Sequence, residues 1–137
     1  MQEAAASLQG THDVSSFRAA GCQRKIPVVT LYEVFLHTHP YGPPLGTTSV
    51  TGGSGLLHLV DSPSPDLLLT TIVVRGNAFV YRQVRNMVGC LVAVGKGRID
   101  AQSLPALLAT KDRRQAPSTA PAHGLYLARV RHGDFEI

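Results

Sequence analysis

The sequence predicts an α+β fold, an antiparallel sheet with helices packed on one face, built as one domain over residues 1–137 with a flexible insertion at about 40–65. Three observations predict it. Two runs rich in β-branched and aromatic residues, Val28 to Thr38 and Leu67 to Arg75, flank a long stretch dominated by Gly, Pro, Ser and Thr. From Asn77 to Gly95 the period changes: Val80, Val84, Met87, Val88 and Leu91 recur at the i, i+3/i+4 spacing of one helix face, and Gly95 and Gly97 end the run. The resulting order is helix, strand, long loop, strand, helix, helix, strand.

Taken in chain order, Gln2 to Leu8 reads as the end of a helix, because Ala and Leu favour that state and Gly10 can terminate it. Val28 to Thr38 is a strand bounded by Pro27 and Pro40. Pro40 to Pro65 is the insertion. Leu67 to Arg75 is a second strand, and the long connection makes it an antiparallel neighbour of the first. Asn77 is suited to cap the long helix, and Gly76 to make the turn before it. Ser103 can cap a further short helix through about Thr110, with Pro105 tolerated in the first turn. Leu125 to Arg131 alternates, Leu125 and Leu127 against Tyr126, Ala128 and Val130, and reads as a last strand.

Composition limits what the chain can be. Hydrophobic residues make up 44% of the 137, enough to build a packed core. The longest stretch free of charged or strongly polar side chains, Met87 to Gly95, is about half the ~18 residues a membrane helix needs, so no membrane role is expected. No basic start followed by an apolar core marks a secretory signal. Cys22 and Cys90 lack CxxC spacing, which excludes a disulfide scaffold and a four-cysteine zinc site and suits an intracellular, reducing compartment.

The net charge is +4, but its distribution says more than the sum. Arg75, Arg82, Arg85, Lys96, Arg98, Lys111, Arg113 and Arg114 face only Asp100 and Asp112 within that segment, and the rest of the chain is slightly acidic. Ten of the 13 basic residues are Arg, whose planar fork suits phosphate. A polyanion such as RNA and a solvated basic surface are the two readings of this pattern.

Several residues could carry chemistry. At ~100° per residue, Arg85 falls on the border of the apolar face of its helix, where a guanidinium can point into a cleft or snorkel to solvent. A guanidinium in a cleft requires an anionic partner. Gly89 follows one turn later, a costly residue in a helix interior unless another backbone or a ligand approaches closely. His12 and Asp13 could form an acid/base pair, although Asp13 ahead of Ser15 and Ser16 more readily caps a short turn. His37 and His39 share one side of a strand, without a Cys or acidic residue at ligand spacing, so no metal site is expected. No Gly-x-Ser-x-Gly, Walker A or dinucleotide fingerprint occurs; Thr51 to Gly55 lacks the following Lys.

Four runs together resemble the C-terminal half of the TruA-type tRNA pseudouridine synthases: Gly10-Thr11-His12-Asp13-Val14-Ser15-Ser16-Phe17; Arg75 through Gly89, with Arg75-Gly76-Asn77-Ala78-Phe79 and Gln83-Val84-Arg85-Asn86-Met87-Val88-Gly89; Lys111-Asp112-Arg113; and Thr119-Ala120-Pro121-Ala122-His123-Gly124-Leu125-Tyr126-Leu127. The resemblance spans nearly the whole chain outside the insertion. It implies half of the pseudouridine synthase catalytic fold and an isomerase that converts uridine to pseudouridine in tRNA without cofactor or metal. In such an enzyme an aspartate attacks the uridine, the glycosidic bond breaks, the base turns, and its carbon 5 is rejoined to the ribose. By resemblance Arg85 pairs with that aspartate, orienting it and holding it ionised. Leu125 matches the aliphatic residue packing beside the target base. Arg82, Lys111, Arg113 and Arg114 are candidates for tRNA phosphate contact, on charge alone.

The departures carry equal weight. The family's nucleophile lies in an Arg-Thr-Asp-x-Gly-Val-His segment and its active-site tyrosine in a Tyr-x-Tyr-type segment, and neither occurs here. Val14 stands where Phe is usual, and Val29 where an Arg often precedes the Thr of that strand. The expectation is therefore a C-terminal portion, inactive alone and completed by a missing N-terminal half, with apolar surface left where that half packs. The resemblance also implies a possible homodimer. The competing expectations are a catalytically inactive RNA-binding or partner-binding module, and an interaction protein with no RNA role.

Overall fold

Val28–Pro40 forms the longest strand, β2, and the remaining elements are arranged around it. The structure, a computed structural model, describes residues 1–41, 67–132, 135 and 136. Before β2 come a short helix α1 (Gln2–Ala6), an edge strand β1 (Gly10–Asp13) and a 3₁₀ turn at Ser15–Phe17. After it come β3 (Leu68–Gly76), the helices α2 (Gln83–Gly95) and α3 (Ser103–Thr110), 3₁₀ turns at Arg113–Gln115 and Ala122–Gly124, and a two-residue pair, β4 (Arg131–His132) with β5 (Phe135–Glu136). The main sheet is antiparallel in the order β1-β2-β3. This is the expected α+β arrangement, with β2 and β3 paired as the sequence predicted.

Alternation along β2 shows how the sheet meets the helices. Val29 and Leu31 are buried, then Val34, and the step of three between Leu31 and Val34 breaks the period of two. The ladder to β3 shifts between Leu31 and Glu33 at the same place, so one extra residue there keeps both halves of the strand facing the core. Ala4 and Ala5 of α1 with Leu8 just after it, Phe17 of the first 3₁₀ turn with Val14 just before it, Met87, Cys90 and Leu91 of α2, and Leu104 and Leu108 of α3 bury against that face. Where β1 ends, the open edge of β2 is met by side-chain amides instead of a strand. The Leu36 N–H donates to Gln2 Oε1 at 3.1 Å, and Gln9 Nε2 donates to the Val34 carbonyl at 3.3 Å.

Four local expectations are corrected. First, β1 was not foreseen, because four residues give no readable alternation and its identity comes from pairing Gly10 to Asp13 against Leu31 to Val28. Second, α2 starts at Gln83 rather than Asn77. Asn77 is not its cap: the Asn77 N–H donates to the Thr30 carbonyl at 3.0 Å, and Asn77 Oδ1 accepts from the Thr30 N–H at 2.9 Å, which extends the ladder beyond Gly76. A Cβ at Gly76 would lie 2.9 Å from the Thr30 carbonyl oxygen, so this crossing requires glycine. Third, α3 spans the expected residues, yet Ser103 lies inside it and the capping position is Gln102. Fourth, the expected strand from Leu125 to Arg131 is not formed along its length: among the described residues the ladder is confined to Arg131–His132, paired with β5. A ladder needs a neighbour, and β1-β2-β3 supplies none to this segment.

The expected insertion falls mostly on residues 42–66, outside the described residues. Among the described residues no helix is long and apolar enough to cross a membrane.

The buried face of α2 is also rotated from the expected one. Val84 and Val88 are only half-buried, while Gln83 and Asn86 are buried beside Met87 and Cys90. Asn86 can lie there because every polar atom of its side chain is used: Nδ2 donates to the Phe17 carbonyl at 2.6 Å, and Oδ1 accepts from Thr119 Oγ1 at 2.6 Å and from Arg113 Nη2 at 3.1 Å. Asn86→Ala removes a partner from the buried Phe17 carbonyl and from the half-buried Thr119 hydroxyl and Arg113 guanidinium. It should lower stability by about 2–4 kcal/mol, read as a fall in the urea midpoint of unfolding.

Candidate active site

Helix α2 begins on a turn closed from both sides. The Gln83 N–H donates to the Val80 carbonyl at 3.0 Å, and Gln83 Oε1 accepts from the Val80 N–H at 2.9 Å, the reciprocal logic of a capping box. Arg82 sits at the capping position with φ +59°, a left-handed conformation that costs a non-glycine residue roughly 1–2 kcal/mol. Its guanidinium lies 5.1 Å from the centre of the Tyr81 ring. The Tyr81 backbone is held as well, its carbonyl accepting from the Ala19 N–H at 3.1 Å and its N–H directed at Cys22 Sγ at 3.5 Å.

One turn further on, α2 receives the segment that leads to Leu125. The Arg85 carbonyl accepts from the Ala120 N–H at 3.0 Å, and Arg85 Nε donates to the Ala120 carbonyl at 2.8 Å. At Gly89 a Cβ would overlap the Ser118 carbonyl oxygen and lie 3.5 Å from the Ala120 nitrogen. Between the alternatives that the sequence left open for Gly89, the structure thus supplies a backbone. Four helical residues rise ~6 Å and two extended residues ~6.6 Å, so Ser118 to Ala120 runs back along α2 from Gly89 to Arg85. Thr119 faces the helix between them, on Asn86.

Arg85 is half-buried against this segment rather than splayed into solvent, and among the described residues it makes no ion pair. Leu125 follows the Ala122–Gly124 turn, with its N–H donating to the Ala122 carbonyl at 3.1 Å and its backbone extended. The four basic candidates separate. Arg113 turns inward, donating to Asn86 Oδ1, to Thr119 Oγ1 at 3.0 Å and to the Ala116 carbonyl at 3.0 Å. Arg114 is exposed and pairs with Asp112 in the preceding turn, at 3.1 Å. Lys111 is exposed, with φ +52°, and its Nζ lies 3.3 Å from Asp13 Oδ2. Arg82 is exposed.

Asp13 takes the capping role. Its Oδ1 accepts from the Ser15 N–H at 3.0 Å and from Ser15 Oγ at 2.6 Å. His12 Nε2 meets the Gln9 carbonyl at 2.7 Å, so these two side chains do not form an acid/base pair with each other. The rings of His37 and His39 lie 5.5 Å apart on β2, and among the described residues no three His, Cys, Asp or Glu side chains group as metal ligands would. Burial pushes the Cys90 thiol up to about 11. The Tyr81 N–H lowers that of Cys22.

Residues 4–132 match the family described as tRNA pseudouridine synthase. The chain belongs to that family. Similar proteins include the tRNA pseudouridine synthase A of Ralstonia nicotianae, 39% identical over 134 residues that cover 98% of this chain. That of Neisseria gonorrhoeae is 41% identical over 130 residues, 95% of this chain, and that of Pseudomonas aeruginosa 38% identical over 138, the whole of it. In each case the match covers 39% of the relative, so the chain spans about two-fifths of the length of these curated pseudouridine synthases.

Two members of the pseudouridine synthase run were missed as structural centres by sequence reasoning, Gln83 and Asn86. The available signal was their spacing: residues 83, 86, 87 and 90 share one side of a helix. Two amides beside Met and Cys must find internal partners there if that side is buried.

The Ser15 hydroxyl, the Ser15 N–H and the Lys111 ammonium together hold the Asp13 carboxyl below the usual carboxylate range. A depressed folded-state value means that the ionised form stabilises the fold above the ordinary value of 3.8, and that this contribution is lost as the pH falls through the folded-state value. Asp13→Asn should therefore lower stability at pH 6–7 and flatten the acid limb of the stability curve below about pH 4, checked by thermal melts from pH 2.5 to 7.

Proposed function

We propose that this chain supplies the arginine-bearing part of an intracellular tRNA pseudouridine synthase, converting uridine to pseudouridine once an aspartate-bearing segment completes the site. The observation that carries this reading is Arg85. Its Nε is anchored on Ala120, and no carboxylate among the described residues pairs with it. A half-buried guanidinium with terminal donors in hand favours an anionic partner, and such a pair keeps a carboxylate ionised and oriented for nucleophilic attack.

Within this reading Leu125 is the aliphatic residue beside the target base. Arg82, Lys111 and Arg114, exposed on the segment that carries the excess positive charge, contact tRNA phosphates, and Arg113 serves them through the fold. The homodimer implied by the resemblance belongs to the same proposal. The reaction needs no cofactor in this scheme, since the aspartate, the uridine and the arginine supply all of its parts.

The second reading, a catalytically inactive RNA-binding module, is favoured by the absence of an Arg-Thr-Asp-x-Gly-Val-His segment from this sequence. The two are separated by placing these 137 residues in a chimera, in exchange for the matched segment of the Ralstonia enzyme. With tRNA tritiated at uridine carbon 5, the chimera should release tritium and the 137-residue chain alone should not. Arg85→Ala in the chimera should slow release by about 10²-fold or more, and Arg85→Lys should not restore it, because a point charge lacks the planar fork. Release by the isolated chain, or full activity of Arg85→Ala, overturns the reading. A folded chimera that binds tRNA without turnover supports the inactive module.

Salt dependence tests the interface. Replacing Arg82, Lys111 or Arg114 by Ala should each reduce the slope of log affinity for tRNA against log salt by about 1. Arg113→Ala should instead lower the melting temperature.

A further inference from the structure

The fold brings a second basic run to the one that the sequence concentrates between Arg75 and Arg114. Arg18, Arg24 and Lys25 lie in one loop, and no acidic residue occurs between Asp13 and Glu33. That loop docks on the turn that opens α2. The Ala19 N–H donates to the Tyr81 carbonyl at 3.1 Å, and the Tyr81 N–H meets Cys22 Sγ at 3.5 Å. Within the loop the arginines bind carbonyls: Arg18 Nη2 donates to Cys22 at 3.1 Å, and Arg24 to Ile26 and Val28 at 2.8 and 3.2 Å. These bonds stiffen the loop and cancel none of its charge. Among the described residues Arg18, Arg24, Lys25 and Arg82 form no ion pair.

An aromatic ring stands where the two runs meet. Tyr81 is 50% exposed, with the Arg82 guanidinium over its ring. Its backbone is tied to the loop at both N–H and carbonyl, and the reciprocal bonds between Val80 and Gln83 close the turn around it. Arg82 is held there at φ +59°, a strained conformation that persists only where the surroundings over-determine it. Such a turn presents its side chains in a fixed direction. A rigid exposed ring flanked by cations loses little freedom on stacking, and every nucleobase has a face to stack.

We propose that Tyr81 is a positioning residue that stacks on a nucleobase of single-stranded RNA, with Arg82 and Lys25 on the adjoining phosphates and Arg18 and Arg24 shaping the loop. Arg82 lies three residues before Arg85 and its carbonyl accepts from the Asn86 N–H at 3.0 Å, so the two arginines are separated by a rise of ~4.5 Å along α2. Successive bases along a strand are ~3.4 Å apart. The stacked base therefore belongs to a nucleotide neighbouring the uridine that meets Arg85, and holding it sets which uridine is presented. That RNA is the occupant rests on the proposed function; the fixed ring amid uncancelled positive charge does not.

The sequence contains no tryptophan, so Tyr81→Trp places a single fluorescent reporter at this position. Its emission should be quenched by an oligouridylate of about eight nucleotides, and not by an abasic oligomer carrying the same number of phosphates. Tyr81→Ala should weaken binding of the oligouridylate by about 10-fold and leave the slope of log affinity against log salt unchanged, because no phosphate contact is lost. Tyr81→Phe should bind as the native chain does. Equal quenching by the abasic oligomer, or undiminished binding by Tyr81→Ala, overturns the proposal, as does failure of the 137-residue chain and the Ralstonia chimera alike to bind RNA at low salt. Base-dependent quenching beside a chimera that releases no tritium refutes the proposed function and keeps this inference. An active chimera in which Tyr81→Ala leaves kcat/KM for tRNA unchanged does the reverse.

Discussion

The arrangement depends on a buried amide. Asn86 projects from α2 into the interior and joins three pieces of chain: the 3₁₀ turn at Phe17, the Arg113 turn and the residues around Thr119. Each bond is modest in water, but in the interior a missing partner costs far more than a present one contributes. That asymmetry makes the network cooperative. Arg113 also reaches Thr119, so the members constrain one another as well as Asn86. None of the buried side-chain nitrogen and oxygen atoms among the described residues lacks a partner, which is the condition for a polar centre in an apolar core to specify one arrangement.

The position of Arg85 follows from that network. Thr119 is tied to Asn86, and its neighbours Ser118 and Ala120 are thereby laid along α2, where only glycine at position 89 leaves room. Ala120 then takes both the backbone and the Nε of Arg85. The guanidinium is aimed by a chain of contacts that starts at Asn86 and ends in the Ala120 carbonyl, with no carboxylate among the described residues involved. A site built in this way is prepared in advance of its anion, and less ordering remains to be done when the anion arrives.

Much of the fold was legible from spacing alone. β2 and β3 were readable because β-branched residues cluster between prolines and glycines, and α2 because its apolar residues repeat at helical period. What spacing could not show was the choice between equivalent local solutions. Asn77 has the character of a helix cap, but Thr30 offers it two sheet-like bonds and α2 starts later. Asn86 and Gln83 look like surface positions until Phe17, Thr119 and Val80 are brought to them. Of the candidate site, Arg85 and Leu125 were reached through motif resemblance, because helix-border geometry left Arg85 open between cleft and solvent. The division of the basic residues into an inward Arg113 and outward Arg82, Lys111 and Arg114 was invisible in the sequence, since four like charges differ only in what lies next to them.

By itself the sequence determined the class of fold, the clustering of positive charge between Arg75 and Arg114, and membership of the pseudouridine synthases, because composition, period and motif are local properties of a chain. Only the tertiary structure decided that the buried face of α2 runs through Gln83 and Asn86, that Gly89 yields to Ser118, and that Leu125 to Ala128 lies exposed outside the β1-β2-β3 ladder. Those outcomes depend on which distant backbone donors and acceptors arrive at a given surface. A strand or a buried amide is defined by its neighbour, and a neighbour is not a property of the residues that await it.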